Sequence, residues 1–130
     1  MRRYRFADSE YILGYSAPII IIEEPEQNLH PMLQSKLADL LYELNAEYGY
    51  HFIIETHSEY LIRKTQVIVK ENFNDDKRPL KENPFKVFYF NSSDKEKPYY
   101  EIVYQKDGNF SNDFGKGFFD EASNLAFEIL

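Results

Sequence analysis

Four consecutive isoleucines, Ile19-Ile20-Ile21-Ile22, run directly into Glu23-Glu24-Pro25. A β-branched run without polar alternation predicts a short strand buried on both faces, as in the middle of a parallel sheet. Such a strand needs neighbours and cover, and it leaves two carboxylates at its tip. Strand geometry sends successive side chains to opposite sides, so Glu23 and Glu24 are expected to do different work. A second apolar strand, His51–Glu55, leads into Thr56-His57-Ser58.

Between these strands Pro31 opens a helix, where its missing N–H costs nothing in the first turn. Leu33, Leu37, Leu40, Leu41 and Leu44 follow at helical spacing, and Gly49 ends the helix. Thr56-x-x-Glu59 has the form of a capping box, so a second helix is predicted from there to about Lys70. The strand–helix–strand unit should cross over right-handed. Residues 71–84 are polar and read as a surface loop. The period then changes to two: residues 85–90 and 99–105 predict an aromatic antiparallel pair joined by the polar loop 91–98. Asp107-Gly108 signals a tight turn. Residues 118–130 predict a terminal helix with Phe119, Ala122, Leu125, Ala126 and Ile129 on one stripe.

The expected fold class is α/β: a small parallel sheet with two helices, then an antiparallel aromatic hairpin and a terminal helix. Residues 1–18, with Gly14 and Pro18 bracketing a turn, receive no element; 19–72 and 73–130 form the two further regions. With 130 residues, one domain at most is expected. The chain has no cysteine, which excludes disulfides and thiolate metal sites. No apolar run approaches a membrane span, and Met1-Arg2-Arg3 precedes no signal core, so a cytoplasmic location is expected. A net charge of −7 argues against a surface given over to nucleic acid. The eleven tyrosines and eleven phenylalanines follow strand periodicity and read as core, not as a stacking platform.

Hydrolysis of a phosphoanhydride needs a cation that draws charge off the phosphates and a base that orients water. Two acids at a buried strand tip meet both needs, one facing magnesium and the other the water. His57, at the mouth of the next helix, can donate a hydrogen bond to a γ-phosphate, and the positive helix end adds to the field. Taken singly, Glu-Glu-Pro is often only a solvated strand end and Thr-His-Ser a helix cap. Their order, each behind a strand with an amphipathic helix between, favours a nucleotide hydrolase. His30 reads as an N-terminal helix residue or turn former, His51 as structural, and Glu26 as a first-turn acid favouring the helix dipole.

The stretch I-I-I-I-E-E-P-E-Q-N-L-H-P, followed by F-I-I-E-T-H-S-E-Y-L-I, resembles the Walker B, D-loop and H-loop region of ABC-type ATPases. Within them it is most similar to the branch of overcoming-lysogenization-defect nucleases and SMC-like proteins, often labelled AAA-family ATPases. The E-T-H-S-E-Y-L form and Gly117-Phe118-Phe119-Asp120-Glu121 resemble members with a small C-terminal domain, many encoded near bacterial defence genes. The resemblance is strong over residues 19–70 and weaker over 85–130. It implies that Glu23 holds magnesium, where Asp is commoner, that Glu24 is the catalytic glutamate, and that His57 is the switch histidine. It also places Asn28-Leu29-His30-Pro31 where a D-loop meets the opposite subunit of a nucleotide-sandwich dimer.

No G-x-x-x-x-G-K-[ST] loop, signature motif or Q-loop glutamine occurs in the chain. Leu13-Gly14-Tyr15-Ser16 abuts the first strand and is no substitute for a signature. The expectation is therefore the C-terminal part of an ABC-type ATPase, using Mg2+ and ATP only when an N-terminal lobe completes it, and otherwise inactive or self-associating. A second reading is a non-catalytic protein-binding module that keeps an ATPase remnant. A nuclease of the TOPRIM type is disfavoured, because Asp75-Asp76 sits in a polar loop and not at a strand end.

Overall fold

The computed structural model describes residues 17–75, 82–91 and 94–129. The turn expected at Gly14 and part of the loop at 71–84 lie outside them. The architecture is α/β, as the sequence predicts: β1 (Ile19–Glu23), α1 (Pro31–Tyr48), β2 (His51–Glu55), α2 (Glu59–Phe73), β3 (Val87–Phe90), β4 (Tyr99–Ile102) and α3 (Glu121–Glu128). The chain divides into two compact units between Lys64 and Thr65, within α2.

In the first unit β1 and β2 pair in parallel, in register from Ile19 opposite His51 to Glu23 opposite Glu55. The connection is α1, whose ends are where the sequence puts them. His30 caps its start, with Nδ1 accepting from Met32 N at 3.4 Å. Gly49, at φ 72°, caps its end in the left-handed region, and its N–H donates to the Asn45 carbonyl. Of the predicted leucine face only Leu41 is buried, together with Ala38; Leu33 and Leu40 are 45% and 50% exposed. α1 packs on β2 through a narrower stripe than the five leucines suggest.

Burial of β1 on both faces does not occur. Ile19 and Ile21 are 64% and 71% exposed, and Ile53, paired with Ile21, is 58% exposed. These side chains share the outer face of the sheet, whereas Ile22, Phe52 and Ile54 are half-buried on the other. The cause is layer number: among the described residues β1 has one hydrogen-bonded neighbour and nothing buries the outer face.

In the second unit, Ile68 and Val69 of α2 and Ile102 of β4 are buried. β3 and β4 pair antiparallel from Val87 opposite Ile102 to Phe90 opposite Tyr99, a shorter hairpin than the sequence predicts. Beyond it the chain turns at Gly108, whose N–H donates to the Gln105 carbonyl at 3.0 Å, and an isolated bridge joins Tyr104 to Phe110. Gly108 has φ 84°, and a Cβ there would strike the Gln66 carbonyl, so this turn demands glycine. Phe110, Phe114, Phe118 and Phe119 form a ring cluster with centroids 4.6 to 6.3 Å apart. The reading of the aromatics as core does not hold: among the described residues no Phe or Tyr is buried, and on the two-stranded hairpin Phe88, Phe90 and Tyr99 are 49%, 75% and 59% exposed. The apolar stripe of the terminal helix is not buried. α3 begins only at Glu121, Phe119 is already engaged in the ring cluster, and Leu125 and Ile129 are 51% and 85% exposed.

Tyr104 ties α2 to the segment after β4, with its hydroxyl 2.6 Å from Thr65 Oγ1. Burial pushes its phenol up from 10.0 to about 12, with the Thr65 bond opposing the rise. The fold therefore favours the protonated form. As pH climbs past 10.0 the unfolded chain gives up this proton first, and the folded state holds the excess. Stability contributed by Tyr104 is thus intact below pH 10.0 and lost by about 12; the loss is on the order of 2 kcal/mol. Urea unfolding at stepped pH should show the decline, and Tyr104→Phe should remove its share.

Candidate functional site

The site is built by the parallel register. Because Glu23 stands opposite Glu55, the chain leaves both strands at the same level. One hydrogen bond carries the ladder a step further, Glu24 N donating to the Glu55 carbonyl at 2.8 Å. Glu24 then adopts φ 45° and Asn28 φ 61°, left-handed conformations; asparagine takes this region readily, whereas for a glutamate it costs about 1–3 kcal/mol. Between them the chain folds into consecutive tight turns: Gln27 N donates to the Glu24 carbonyl and Leu29 N to the Glu26 carbonyl, each at 3.0 Å. Gln27 Nε2 also donates to Glu24 Oε2.

Of the residues singled out from sequence, the structure brings together Glu24 and His57. Glu24 Oε1 is 3.7 Å from His57 Nε2, with the side chains 40% and 76% exposed. A contact so exposed adds little stability. Its meaning is geometric: an acid from one strand tip and an imidazole from the next face the same volume of solvent. Glu23 stands apart from this pair, exposed on the outer face at its cross-strand position with Glu55.

Among the described residues no group of three or more His, Asp or Glu side chains is placed to hold a metal. Magnesium is commonly held by one or two carboxylates with phosphate oxygens and water completing the shell. Glu23, with Glu55 beside it, fits that donor chemistry and not an all-protein cage.

Three residues that organise the site have roles the sequence does not reveal. Glu26 is not a first-turn acid of α1, which starts at Pro31 and has no acid in its first turn. Its Oε1 instead accepts from His57 N at 2.7 Å, across 31 residues of chain. Gln34, on α1, accepts from Ser58 Oγ at 2.6 Å and donates through Nε2 to the Leu29 carbonyl at 2.8 Å. Ser58 in turn caps α2, its Oγ accepting from Leu61 N at 3.0 Å. The capping box expected at Thr56 and Glu59 is displaced by this arrangement. Thr56 Oγ1 is taken by Ser58 N at 3.0 Å, and the Glu59 carboxylate bonds Arg63 Nε at 2.6 Å. These partners lie far apart in sequence, and no local spacing announces them.

Residues 13–62 match the family model described as AAA ATPase domain. The matched stretch contains both strands, α1, Glu23, Glu24 and His57, which supports an AAA-family ATPase relationship for this part of the chain. No curated protein and no solved structure matches. Among the described residues no helix is long and apolar enough to cross a membrane.

Ser58 is 5% exposed and serves two bonds at once. Ser58→Ala is expected to lower stability by about 1–2 kcal/mol, the usual loss for a helix cap. Chemical unfolding measures it, and a change within error would mean that Gln34 and the α2 terminus find water without cost.

Proposed function

We propose that residues 19–70 form the hydrolytic edge of an ABC-type ATP hydrolase of the overcoming-lysogenization-defect and SMC-like branch. The observation that carries this reading is the approach of Glu24 to His57 from adjacent strand tips. It is supported by the AAA ATPase match over residues 13–62. In this reading Glu23 holds Mg2+, which supplies charge neutralisation at the β- and γ-phosphates. Glu24 orients and deprotonates the attacking water, and His57 donates to the γ-phosphate. Asn28-Leu29-His30-Pro31 is the segment presented to an opposite subunit.

These 130 residues hold no phosphate cradle of the G-x-x-x-x-G-K-[ST] kind, so in this reading the grip on the α- and β-phosphates belongs to an ATPase lobe outside them. We assign the protein to bacterial anti-phage defence on the strength of the sequence resemblance, and to the cytoplasm because its sequence holds no apolar run of membrane-spanning length and Met1-Arg2-Arg3 leads into no signal core. The chain alone should bind Mg-ATP no tighter than millimolar, and a micromolar Kd by calorimetry would overturn the division of labour. With a lobe that supplies the cradle, Glu24→Gln should keep ATP binding and lower kcat by about 10² or more. Glu23→Gln should instead raise the magnesium concentration needed for half-maximal rate. Equal, small effects in phosphate-release assays would reduce the pair to a solvated strand end.

The second reading, a non-catalytic binding module, is favoured by one observation: the outer face at Ile19, Ile21 and Ile53 lies open. Exposed apolar sheet surface invites another chain. In either reading the isolated chain should self-associate or take up its partner lobe there. Light scattering at micromolar concentration should show species larger than a monomer, and Ile21→Lys with Ile53→Lys should reduce them.

A further inference from the structure

We propose that Glu26 is a positioning residue, whose carboxylate holds the His57 loop so that the imidazole stays beside Glu24. The coupling rests on geometry; its consequence for hydrolysis rests on the ATPase reading above.

His57 sits in the short link between β2 and α2, and its side chain is 76% exposed. A ring so exposed has little packing to hold it, so its place depends chiefly on its backbone. Two restraints act close to that backbone. One is local, the Thr56 Oγ1 bond from Ser58 N. The other is Glu26, which reaches from the turn that carries Glu24 and accepts from His57 N at 2.7 Å. The same tight turn therefore presents the Glu24 carboxylate and anchors the residue that faces it.

Stability alone does not account for an acid here. Glu26 Oε2 is buried without a hydrogen-bond partner among the described residues. An orphaned carboxylate oxygen is a penalty that an apolar side chain would avoid. What the carboxylate supplies is a charge-assisted acceptor at a backbone N–H just before α2, where the helix end favours negative charge. Gln34 adds a second tie between the same two segments, through Ser58 Oγ and the Leu29 carbonyl. A displacement of the turn at residues 24–29 would therefore carry His57 with it.

The test uses the full chain with its three histidines isotopically labelled, so that His57 is read by NMR beside His30 and His51. At one fixed pH, Glu24→Gln should displace the His57 imidazole resonances in the otherwise native chain. In a Glu26→Ala background that displacement should shrink roughly threefold or more, as coupled residues do in a double-mutant cycle. Glu26→Gln, which keeps an oxygen acceptor of the same reach, should restore most of it. If Glu26→Ala does not fold, Glu26→Asp, one methylene too short, takes its place with the same expectation. An equal displacement with and without the Glu26 acceptor overturns the positioning role, even in a protein that hydrolyses ATP. Preserved coupling, together with unaltered turnover of Glu24→Gln when a lobe that supplies the phosphate cradle is present, overturns the ATPase reading and leaves the positioning role standing.

Discussion

The parallel pairing of β1 with β2 is the constraint on which the candidate site depends. Parallel strands leave the sheet on the same side, and here the register brings their ends level, Glu23 against Glu55. Had the two strands been joined as a hairpin, their outgoing ends would lie at opposite edges, and no acid from one could meet a histidine from the other. The α1 crossover is what permits the parallel arrangement. Its two caps, His30 and Gly49, keep the crossover compact. The approach of Glu24 to His57 is thus a consequence of topology before it is one of side-chain chemistry.

Local strain and long-range hydrogen bonds then refine what topology supplies. Glu24 and Asn28 hold left-handed backbone that few non-glycine residues adopt. Such conformations persist only where surrounding bonds over-determine them. Those bonds are present: the ladder extension from Glu24 N, the Gln27 side chain, and the ties from Glu26 and Gln34 to the next loop. The turn after β1 is therefore held from both sides, by the sheet behind it and by the α2 entry beside it.

The elements whose signals are local were legible in the sequence. The isoleucine run gave a strand, Pro31 and Gly49 bounded α1 to the residue, and the change to period two marked the hairpin. The acids and the histidine could be placed at strand tips because a strand followed by a turn is a local pattern. Errors arose where tertiary context decides. A run of four isoleucines states a wish for cover on both faces, but cover comes from other elements, and none of those described reaches the outer face. The apolar stripe of α3 failed for the same reason. Thr56 looked like a cap because its spacing to Glu59 is right. Ser58 took the position because Gln34, far away in sequence, accepts its hydroxyl proton and leaves its oxygen for Leu61 N. Glu26 was misread because an acid near a helix start is normally read against that helix, and its partner belongs to the next one.

β1 joins two features that the sequence presents separately. Its outer face carries Ile19 and Ile21, exposed beside Ile53, and ends in Glu23 beside Glu55. Side chains alternate along the strand, so Glu23 belongs to the same face as the open isoleucines. Whatever covers that apolar surface must border the two carboxylates. A covering element that is neutral or acidic at that point would desolvate them at a cost of several kcal/mol each. A cation or a basic group there would relieve the penalty. The surface therefore discriminates among occupants: an apolar layer that brings positive charge to the strand tips suits it better than one that is neutral or acidic there.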